Sequence, residues 1–383
     1  MKVDTPVKVR RPIFDSMVPL VRPVLPPFEV LEQDIRRIVG TGMVTKGSFL
    51  RDFEAAAARH LNVKHAVAVS SCTTGLMLAY QALGLEGDVV VPSFTFMATV
   101  SALVWAGLRP VFADVDPRTA NLDPVAAERA ITPRTSAIVG VHIFGNPADA
   151  EELQAVANRH QLKLVFDAAH GFGSLYQGAP VGPQGDVQVY SLSPTKLLIA
   201  GEGGIVATND DELAEKIRIG REYGNAGNYD SAFAGMNARM PQFNAVMGMR
   251  SLDILEQAAE RRNAVVDLYQ WRLRDLPGID FQEVRNGNRN SYKDFSITID
   301  AEEAGITRDA LADALADDNI DTRKYYEPPV HRHTAYREFA DHAELPNTEM
   351  LANRSLSLPA WSSMDDEIVL GICESVRNVW EAA

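Results

Sequence analysis

Short apolar runs alternate with helix-length segments between residues 66 and 207 of the chain. Several of these runs are apolar at every position, as strands buried on both faces of a parallel sheet are. Helical stretches such as Thr74–Ala82 and Ala148–Arg159 lie between many of them. The alternation predicts an α/β fold in which helices flank a mostly parallel sheet of seven strands. The predicted strands are Ala66–Val69, Val89–Val91, Val111–Ala113, Ala137–Val141, Lys163–Phe166, Val187–Tyr190 and Gly204–Ala207.

The region before these strands follows other patterns. Residues 1–27 are Pro-rich and show no helical or strand period, which predicts an extended N-terminal arm. Two helical stretches then occupy residues 28–60, split by a Gly/Thr/Ser loop at residues 40–48.

A change of character near residue 250 predicts a domain boundary. The segment Met249–Leu276 is rich in Ala, Arg and Glu and predicts one long helix. A strand at Phe295–Ile299 and a helix at Arg308–Asp318 follow it. The predicted domains are a large domain at residues 28–248 and a smaller C-terminal α/β domain at residues 249–383, which includes the long helix.

The composition is that of an ordinary globular protein, with 46% apolar and 23% charged residues among 383. The net charge of −14 argues against nucleic acid or an anionic membrane as the main partner. A local nest of N–H groups can still bind an anionic small molecule. The two cysteines, Cys72 and Cys373, form neither a disulfide framework nor a zinc-binding pattern. Without a signal-like segment or an apolar run of ~18 residues, we expect a cytoplasmic protein with no metal site.

An acid and a lysine follow two of the predicted strands. Asp167 comes directly after Phe166, and Lys196 follows Tyr190 after a Ser/Thr/Pro loop. Ligands of open α/β sheets bind beyond the carboxyl ends of the strands. A carboxylate there can keep a pyridinium nitrogen protonated, and a desolvated lysine can form a Schiff base with a carbonyl cofactor. The alternatives are an Asp167 that only caps a turn and a Lys196 that lies in a solvated loop.

Further strand ends carry residues suited to an anionic, planar ligand. Cys72 and Thr73 open a predicted helix, where N–H groups and hydroxyls favour an anion. Ser191 offers another hydroxyl, and Phe96 follows a strand from which an aromatic side chain can stack on a ring. Each residue also has an ordinary interpretation, since the hydroxyls could cap the helix and Phe96 could belong to the core.

The order of these motifs resembles that of the DegT-type sugar aminotransferases, which are pyridoxal 5'-phosphate (PLP) enzymes of fold type I. The resemblance covers residues 28–378, and its most specific stretch is DAAHGFGSLYQGAPVGPQGDVQVYSLSPTKLLIAGEGGIVATND at residues 167–210. It implies a mostly parallel seven-stranded sheet flanked by helices, with a smaller C-terminal α/β domain. It also implies a homodimer whose active sites are shared between the subunits.

The resemblance implies a role for individual residues. Lys196 would be the catalytic lysine that holds PLP as a Schiff base, and Asp167 would pair with the pyridine nitrogen. His170 would lie against the cofactor and Phe96 would stack on its ring. The implied phosphate ligands are Thr73, the backbone of Thr74, Ser191 and, from the neighbouring subunit, Asn237. The implied substrate-binding residues are Thr45, Lys324, Tyr325 and His331.

The chain departs from the family pattern at two places. The phosphate turn of the family is usually Asn-Gly-Thr, and here it is Ser71-Cys72-Thr73, which adds a side chain where the backbone approaches the phosphate. The residue before the pyridine-binding acid is Phe166 rather than an acid. Relatives in which His replaces the lysine are sugar dehydratases, and this chain keeps Lys196.

The resemblance implies transfer of the amino group of glutamate to a nucleotide-linked keto-deoxysugar. His170 occurs at this position in several relatives that aminate C4, which favours dTDP-4-keto-6-deoxyglucose as the acceptor. The basic segment at residues 323–331 is either a substrate-side loop that meets the diphosphate or a solvated loop. The alternative functions are C3 amination of a 3-keto sugar, a PLP-dependent sugar dehydratase and a non-catalytic PLP-binding regulator.

Overall fold

The computed structural model describes residues 11–340 and 343–382. Its strands form a large sheet, a small sheet and a two-stranded hairpin. The strands are β1 (His65–Val69), β2 (Asp88–Pro92), β3 (Arg109–Ala113), β4 (Thr135–Val141), β5 (Lys163–Asp167), β6 (Leu175–Tyr176), β7 (Ala179–Pro180), β8 (Val187–Ser191), β9 (Gly204–Thr208), β10 (Ile279–Phe281), β11 (Phe295–Ile299) and β12 (Ser355–Leu358).

The large sheet has the strand order β1-β9-β8-β5-β4-β2-β3. Within it β9 pairs antiparallel with β1 and β8, and every other neighbouring pair is parallel. All seven predicted apolar runs lie within these strands, and the prediction of a mostly parallel seven-stranded sheet is confirmed. The runs are apolar throughout because helices cover both faces of the sheet and exclude water from each.

Helices cover the sheets and connect them. They are α1 (Phe28–Thr41), α2 (Ser48–Leu61), α3 (Cys72–Ala82), α4 (Met97–Trp105), α5 (Pro124–Arg129), α6 (Ala150–His160), α7 (Asp211–Gly220), α8 (Gln242–Asp253), α9 (Leu255–Leu273), α10 (Ala301–Ala304), α11 (Arg308–Asp317), α12 (Pro346–Arg354) and α13 (Asp366–Ala382). The long helix predicted at Met249–Leu276 is two helices, because the backbone of Ile254 (φ −108°, ψ 2°) leaves the helical conformation.

The small sheet has the order β10-β11-β12 and is antiparallel. Helices α9 and α13 pack together and α11 packs on α13, which builds a second apolar core over this sheet. The first turns of α9, with Leu255 and Ala258, belong to the core on the large sheet, whereas Val265 and Leu273 belong to the core on the small sheet. Helix α9 therefore links the two cores, and the proposed boundary between residues 248 and 249 lies inside α8, which packs on α1 and α2.

The N-terminal segment lies on the small sheet's core. Val18 pairs with Ile320 and is buried in that core, and Phe14 packs beside it. Residues 1–10 of the proposed arm lie outside the described residues. Among the described residues, no helix combines the length and apolarity that a membrane crossing requires.

Candidate active site

Four parallel strands bring the predicted site residues to one edge of the large sheet. Asp167 ends β5 and Ser191 ends β8, while Thr73 opens the helix after β1 and Phe96 follows β2. Because the carboxyl ends of parallel strands share an edge, these residues and the loop with Lys196 gather there. The sheet thus assembles side chains that are more than a hundred residues apart in the sequence.

Asp167 is buried and held in a fixed orientation. It is 5% exposed, and its Oδ2 accepts the Thr99 hydroxyl at 2.7 Å. Its Oδ1 accepts the Ala169 N–H at 3.1 Å and faces the Cys72 thiol at 3.9 Å. Burial raises the pKa of Asp167, while the bond from Thr99 and the charge of Lys196 lower it. A carboxyl in such a place is stabilised as an anion by a cation brought next to it, such as a protonated ring nitrogen.

Lys196 lies in the turn that follows β8. Its N–H donates to the carbonyl of Ser193 at 3.0 Å. Burial and then the positive charge of Lys293 lower the pKa of Lys196 to about 8, whereas Asp294, among other groups, opposes the shift. A lysine with this pKa keeps a sizeable neutral fraction near neutral pH, and the neutral amine is the nucleophilic form.

A buried ion pair borders the site, and the sequence reading missed it. Lys293 is 8% and Asp294 5% exposed, and the Lys293 Nζ lies 2.8 and 2.9 Å from the two carboxylate oxygens of Asp294. The same Nζ lies 5.4 Å from the centre of the Tyr325 ring. The signal in the sequence was a pair of adjacent charges directly before the apolar strand β11, where charged residues are normally solvated.

His170 presents a buried nitrogen with no bond. The residue is 8% exposed, and its Nδ1 has no hydrogen-bond partner among residues 11–340 and 343–382. Burial, followed by the charges of Lys196 and Lys293, places the pKa of His170 well below its ordinary value. A buried polar atom without a partner indicates that a ligand group completes the site, and PLP carries polar ring substituents that suit a neutral imidazole.

The turn before α3 offers part of an anion site. Ser71 caps the helix, with its Oγ accepting the Thr74 N–H at 3.1 Å. The Thr74 hydroxyl is likewise bonded to Ser71, so Thr74 would have to exchange these bonds for a phosphate oxygen. The N–H groups of Cys72 and Thr73 and the Thr73 hydroxyl have no such partner in the described part of the chain. Ser191, whose hydroxyl lies 3.4 Å from that of Ser193, ends β8, which β9 separates from β1.

The two phenylalanines after β2 have different surroundings. Phe94 is 1% exposed and packs edge-on against Phe144 and Tyr326, so the core interpretation applies to it. Phe96 is 50% exposed and lines an open cleft of about 900 Å³. Only Phe96 of the two is free to stack on a ring.

The four implied substrate-binding residues, and Asn237 as the implied phosphate ligand of the neighbouring subunit, are spread over different places. Lys324 and Tyr325 line the cleft beside Phe96, and the Lys324 Nζ pairs with Asp309 at 2.7 Å. Thr45 and Asn237 are exposed away from the cleft, with Thr45 bridged to Pro241 and Asn237 bridged to Glu222 through their backbones. His331 does not line the cleft either, and both of its ring nitrogens are bonded within the protein.

The residues present fit PLP. The edge offers an amine of lowered pKa, an anchored carboxyl, an unbonded imidazole nitrogen, an exposed aromatic ring and free N–H groups at a helix start. Each suits one part of the cofactor: carbonyl, ring nitrogen, ring substituent, ring face and phosphate. Within the described ranges, no three or more His, Cys, Asp or Glu side chains converge as a metal site.

Comparison with known proteins agrees with this arrangement. The profile of the DegT/DnrJ/EryC1/StrS aminotransferase family matches residues 29–377. A dTDP-3-amino-3,4,6-trideoxy-alpha-D-glucose transaminase from Streptomyces venezuelae is 35% identical over 348 residues, which cover 90% of each chain. A dTDP-4-amino-4,6-dideoxy-D-glucose transaminase from Escherichia coli is 31% identical over 362 residues, which cover 94% of this chain and 97% of the other.

A solved structure has the same fold over nearly the full chain. The crystal structure of DesI in the presence of its TDP-sugar product superposes with a TM-score of 0.92 at 39% identity. The match covers 96% of this chain and 94% of that one. The expectation of fold type I is confirmed.

Proposed function

Because the chain belongs to the DegT/DnrJ/EryC1/StrS aminotransferase family and is a PLP-dependent sugar aminotransferase, we propose that it transfers the amino group of glutamate to C4 of dTDP-4-keto-6-deoxyglucose. The observation that carries the proposal is the Lys196 amine, whose pKa is lowered to about 8 beside the buried Asp167 and His170. The cytoplasm suits such a protein, since Cys72 and Cys373 are free and buried.

PLP, when bound, supplies the carbonyl that takes up nitrogen and the ring that accepts electrons from a substrate carbon. Lys196 is the residue that would hold it, and the same Nζ, once released, would move a proton between the substrate carbon that bears the nitrogen and the carbonyl carbon of the cofactor. Asp167, oriented by Thr99, would keep the ring nitrogen charged. His170 and the exposed ring of Phe96 would hold the ring in place.

The cleft beside Phe96 suits a nucleotide diphosphate sugar. Lys324 and Arg323 supply positive charge for the diphosphate, and Tyr325 supplies an aromatic face. The volume of the cleft, about 900 Å³, lies within the range of pockets that enclose small-molecule ligands. We propose these residues as the substrate-binding residues of this chain.

The aminated carbon separates the proposal from its nearest alternative. The E. coli relative is named for a 4-amino sugar and the S. venezuelae relative for a 3-amino sugar, and their identities to this chain are similar. His170, which is typical of several C4-aminating members, favours C4. Amination of a 3-keto sugar at C3 is the second candidate.

The proposal is tested by offering the purified protein glutamate with a panel of dTDP- and UDP-linked 3-keto and 4-keto sugars. We expect a new amine on C4 of the dTDP-4-keto-6-deoxy sugar, located by NMR. A Lys196→Ala protein is the control and should give no product.

Other results would replace the proposal with a defined alternative. An amine at C3 favours the second candidate, and loss of a sugar hydroxyl without nitrogen transfer indicates a dehydratase. A protein that binds PLP but leaves glutamate unchanged in every mixture is a regulator.

We further propose a homodimer with shared sites. Asn237 is exposed, as are Met43, Tyr223 and Tyr229, with 54%, 50% and 99% of their surface open. Tyr223 and Tyr229 line one depression together with Glu222, whose backbone is bridged to Asn237. A second copy would cover these residues and bring Asn237 to the phosphate of the neighbouring site.

A further inference from the structure

Two parts of the molecule meet at Ser93, which follows β2 at the edge that carries the site. Ser93 is fully buried, and its carbonyl and hydroxyl oxygens accept the backbone N–H groups of Val330 and His331 at 3.1 and 2.9 Å. The chain that supplies these groups starts on the small sheet, where Arg323 pairs with β12. This bridging segment, residues 323–331, is therefore fastened to the small sheet at one end and to the large sheet at the other.

The His331 side chain connects Ser93 to helix α12 through hydrogen bonds. Its Nδ1 lies 2.7 Å from the Ser93 Oγ, and its Nε2 lies 2.8 Å from a carboxylate oxygen of Glu349 on α12. A carboxylate only accepts, so Nε2 carries the proton, and in the neutral ring Nδ1 accepts the Ser93 O–H. The serine oxygen is left to accept the His331 N–H, so each group has a partner.

Helix α12 is itself fixed to the same edge of the large sheet. Asp114, directly after β3, accepts the N–H groups of Asn347 and Thr348 at 2.9 and 2.8 Å, at the start of the helix. Glu349 therefore approaches His331 from a helix whose first turn cannot move freely relative to β3. The three side chains Ser93, His331 and Glu349 form a hydrogen-bonded row with a fixed point at each end.

The row lies beside the cleft rather than in it. Phe96 stands three residues after Ser93, and Lys324 and Tyr325 belong to the bridging segment; all three line the cleft. The separation of these cleft walls is thus set by how Ser93 and the segment are held together. None of the three members of the row lines the cleft, which distinguishes their action from direct substrate binding.

We propose that Ser93, His331 and Glu349 form a positioning relay that fixes the bridging segment against the loop carrying Phe96 and so shapes the nucleotide-sugar cleft. His331 thereby acts through its neighbours, in place of the direct substrate contact that the resemblance implied. The inference rests on the proposed function only for the identity of the substrate. Its geometry stands on the contacts alone.

The test uses the PLP-loaded enzyme with Ser93→Ala, Glu349→Met and the double variant. Both changes are small and keep the shape of the side chain, so the fold should persist. Ser362→Ala is the matched control, because Ser362 is also buried and its hydroxyl has no hydrogen-bond partner among the described residues. The measurements are the dissociation constant of dTDP, the KM of the keto sugar, the rate of the glutamate half-reaction and the hydrogen exchange of residues 323–331.

Each single variant should raise the dTDP dissociation constant and the sugar KM about tenfold, the usual effect of leaving one buried group unbonded. The double variant should show about the same tenfold effect, because both changes break one relay. The glutamate half-reaction should change less than threefold, and residues 323–331 should exchange faster than in Ser362→Ala.

The relay is wrong if the single variants behave like Ser362→Ala, or if their effects multiply to about a hundredfold, as independent sites would. An equal fall of both half-reactions would indicate a merely structural role and also contradict it. Parent enzyme that aminates no sugar in the panel overturns the proposed function instead, and hydrogen exchange then still decides the relay.

Discussion

At the scale of the residue, the electrostatics of Lys196 depend on a neighbour that supplies no bond to it. Burial lowers the Lys196 pKa, and Lys293 lowers it further while being held by Asp294. With a pKa of about 8, roughly a quarter of the amine is neutral at pH 7.5, against about one part in a thousand at the ordinary value. Lys293 thus helps to determine how much of the reactive form is present.

Changing Lys293→Gln should therefore move the pH dependence of cofactor uptake. The pKa of Lys196 is depressed, so uptake of PLP by the apo-protein should rise as pH passes through about 8. Removing the positive charge leaves Asp294 unpaired, and both effects raise the Lys196 pKa, so the midpoint should move upward by about one unit. The measurement is the absorbance of bound PLP against pH.

The control is Lys163→Gln. Lys163 also pairs with a carboxylate, Asp186 at 3.0 Å, but it is exposed at the start of β5, at the opposite edge of the sheet from Lys196. The pH midpoint of PLP uptake by the Lys163→Gln protein should match that of the parent. An unchanged midpoint in Lys293→Gln would mean that the pair does not tune Lys196.

The residues around Lys196 differ in whether the sequence alone could identify them. Asp167 and Lys196 could be predicted because each follows a strand and belongs to a recognisable motif. Thr99 and the pair Lys293–Asp294 could not, because each acts through a contact made only after folding. His331 shows the converse, since its motif indicated the substrate while its two nitrogens bond to Ser93 and Glu349.

At the scale of the element, α12 depends on a cap that comes from another part of the chain. Asp114 accepts two N–H groups of the first turn and the Thr348 hydroxyl at 2.8 Å. The usual N-cap lies next to its helix, as Asp123 does for α5 with one bond to the Val125 N–H at 2.9 Å. The cap on α12 therefore joins the large sheet to the helix that carries Glu349.

Asp114→Ala should lower the free energy of unfolding by about 1–3 kcal/mol, because it leaves buried donors without a partner. It should also raise the KM of the nucleotide sugar, since α12 supports the relay. Asp123→Ala should cost about 1 kcal/mol and leave KM unchanged. Urea titrations and steady-state kinetics make the comparison, and equal KM values in the two variants would contradict the link to the cleft.

The elements differ in how well their sequence patterns identify them. The seven strands of the large sheet were predictable because burial on both faces requires apolar runs. The break between α8 and α9 was not, since the sequence around Ile254 contains no Gly or Pro, and residues on both sides of it, Val246 and Leu255, pack in the same core.

At the scale of the whole molecule, the residues implied for the site lie in two places. The sheet edge supplies Lys196, Asp167 and Thr73, whereas Asn237 is exposed on a loop beside Glu222 and Arg239. If two copies share their sites, each copy gives its own Lys196 to one site and its Asn237 to the other. Two different defects carried by different subunits would then fall in the same site and leave the other site intact.

Mixing two inactive variants tests directly whether the sites are shared between subunits. Lys196→Ala and Asn237→Ala proteins should each have little activity alone, the first for lack of the amine and the second for weak cofactor retention. A hybrid dimer contains one site with an intact Lys196 from one subunit and an intact Asn237 from the other. After subunit exchange, half of the dimers are hybrids with one working site, so activity should recover to about a quarter of the parent value. Activity no higher than the average of the separate variants would show that each chain builds its site alone.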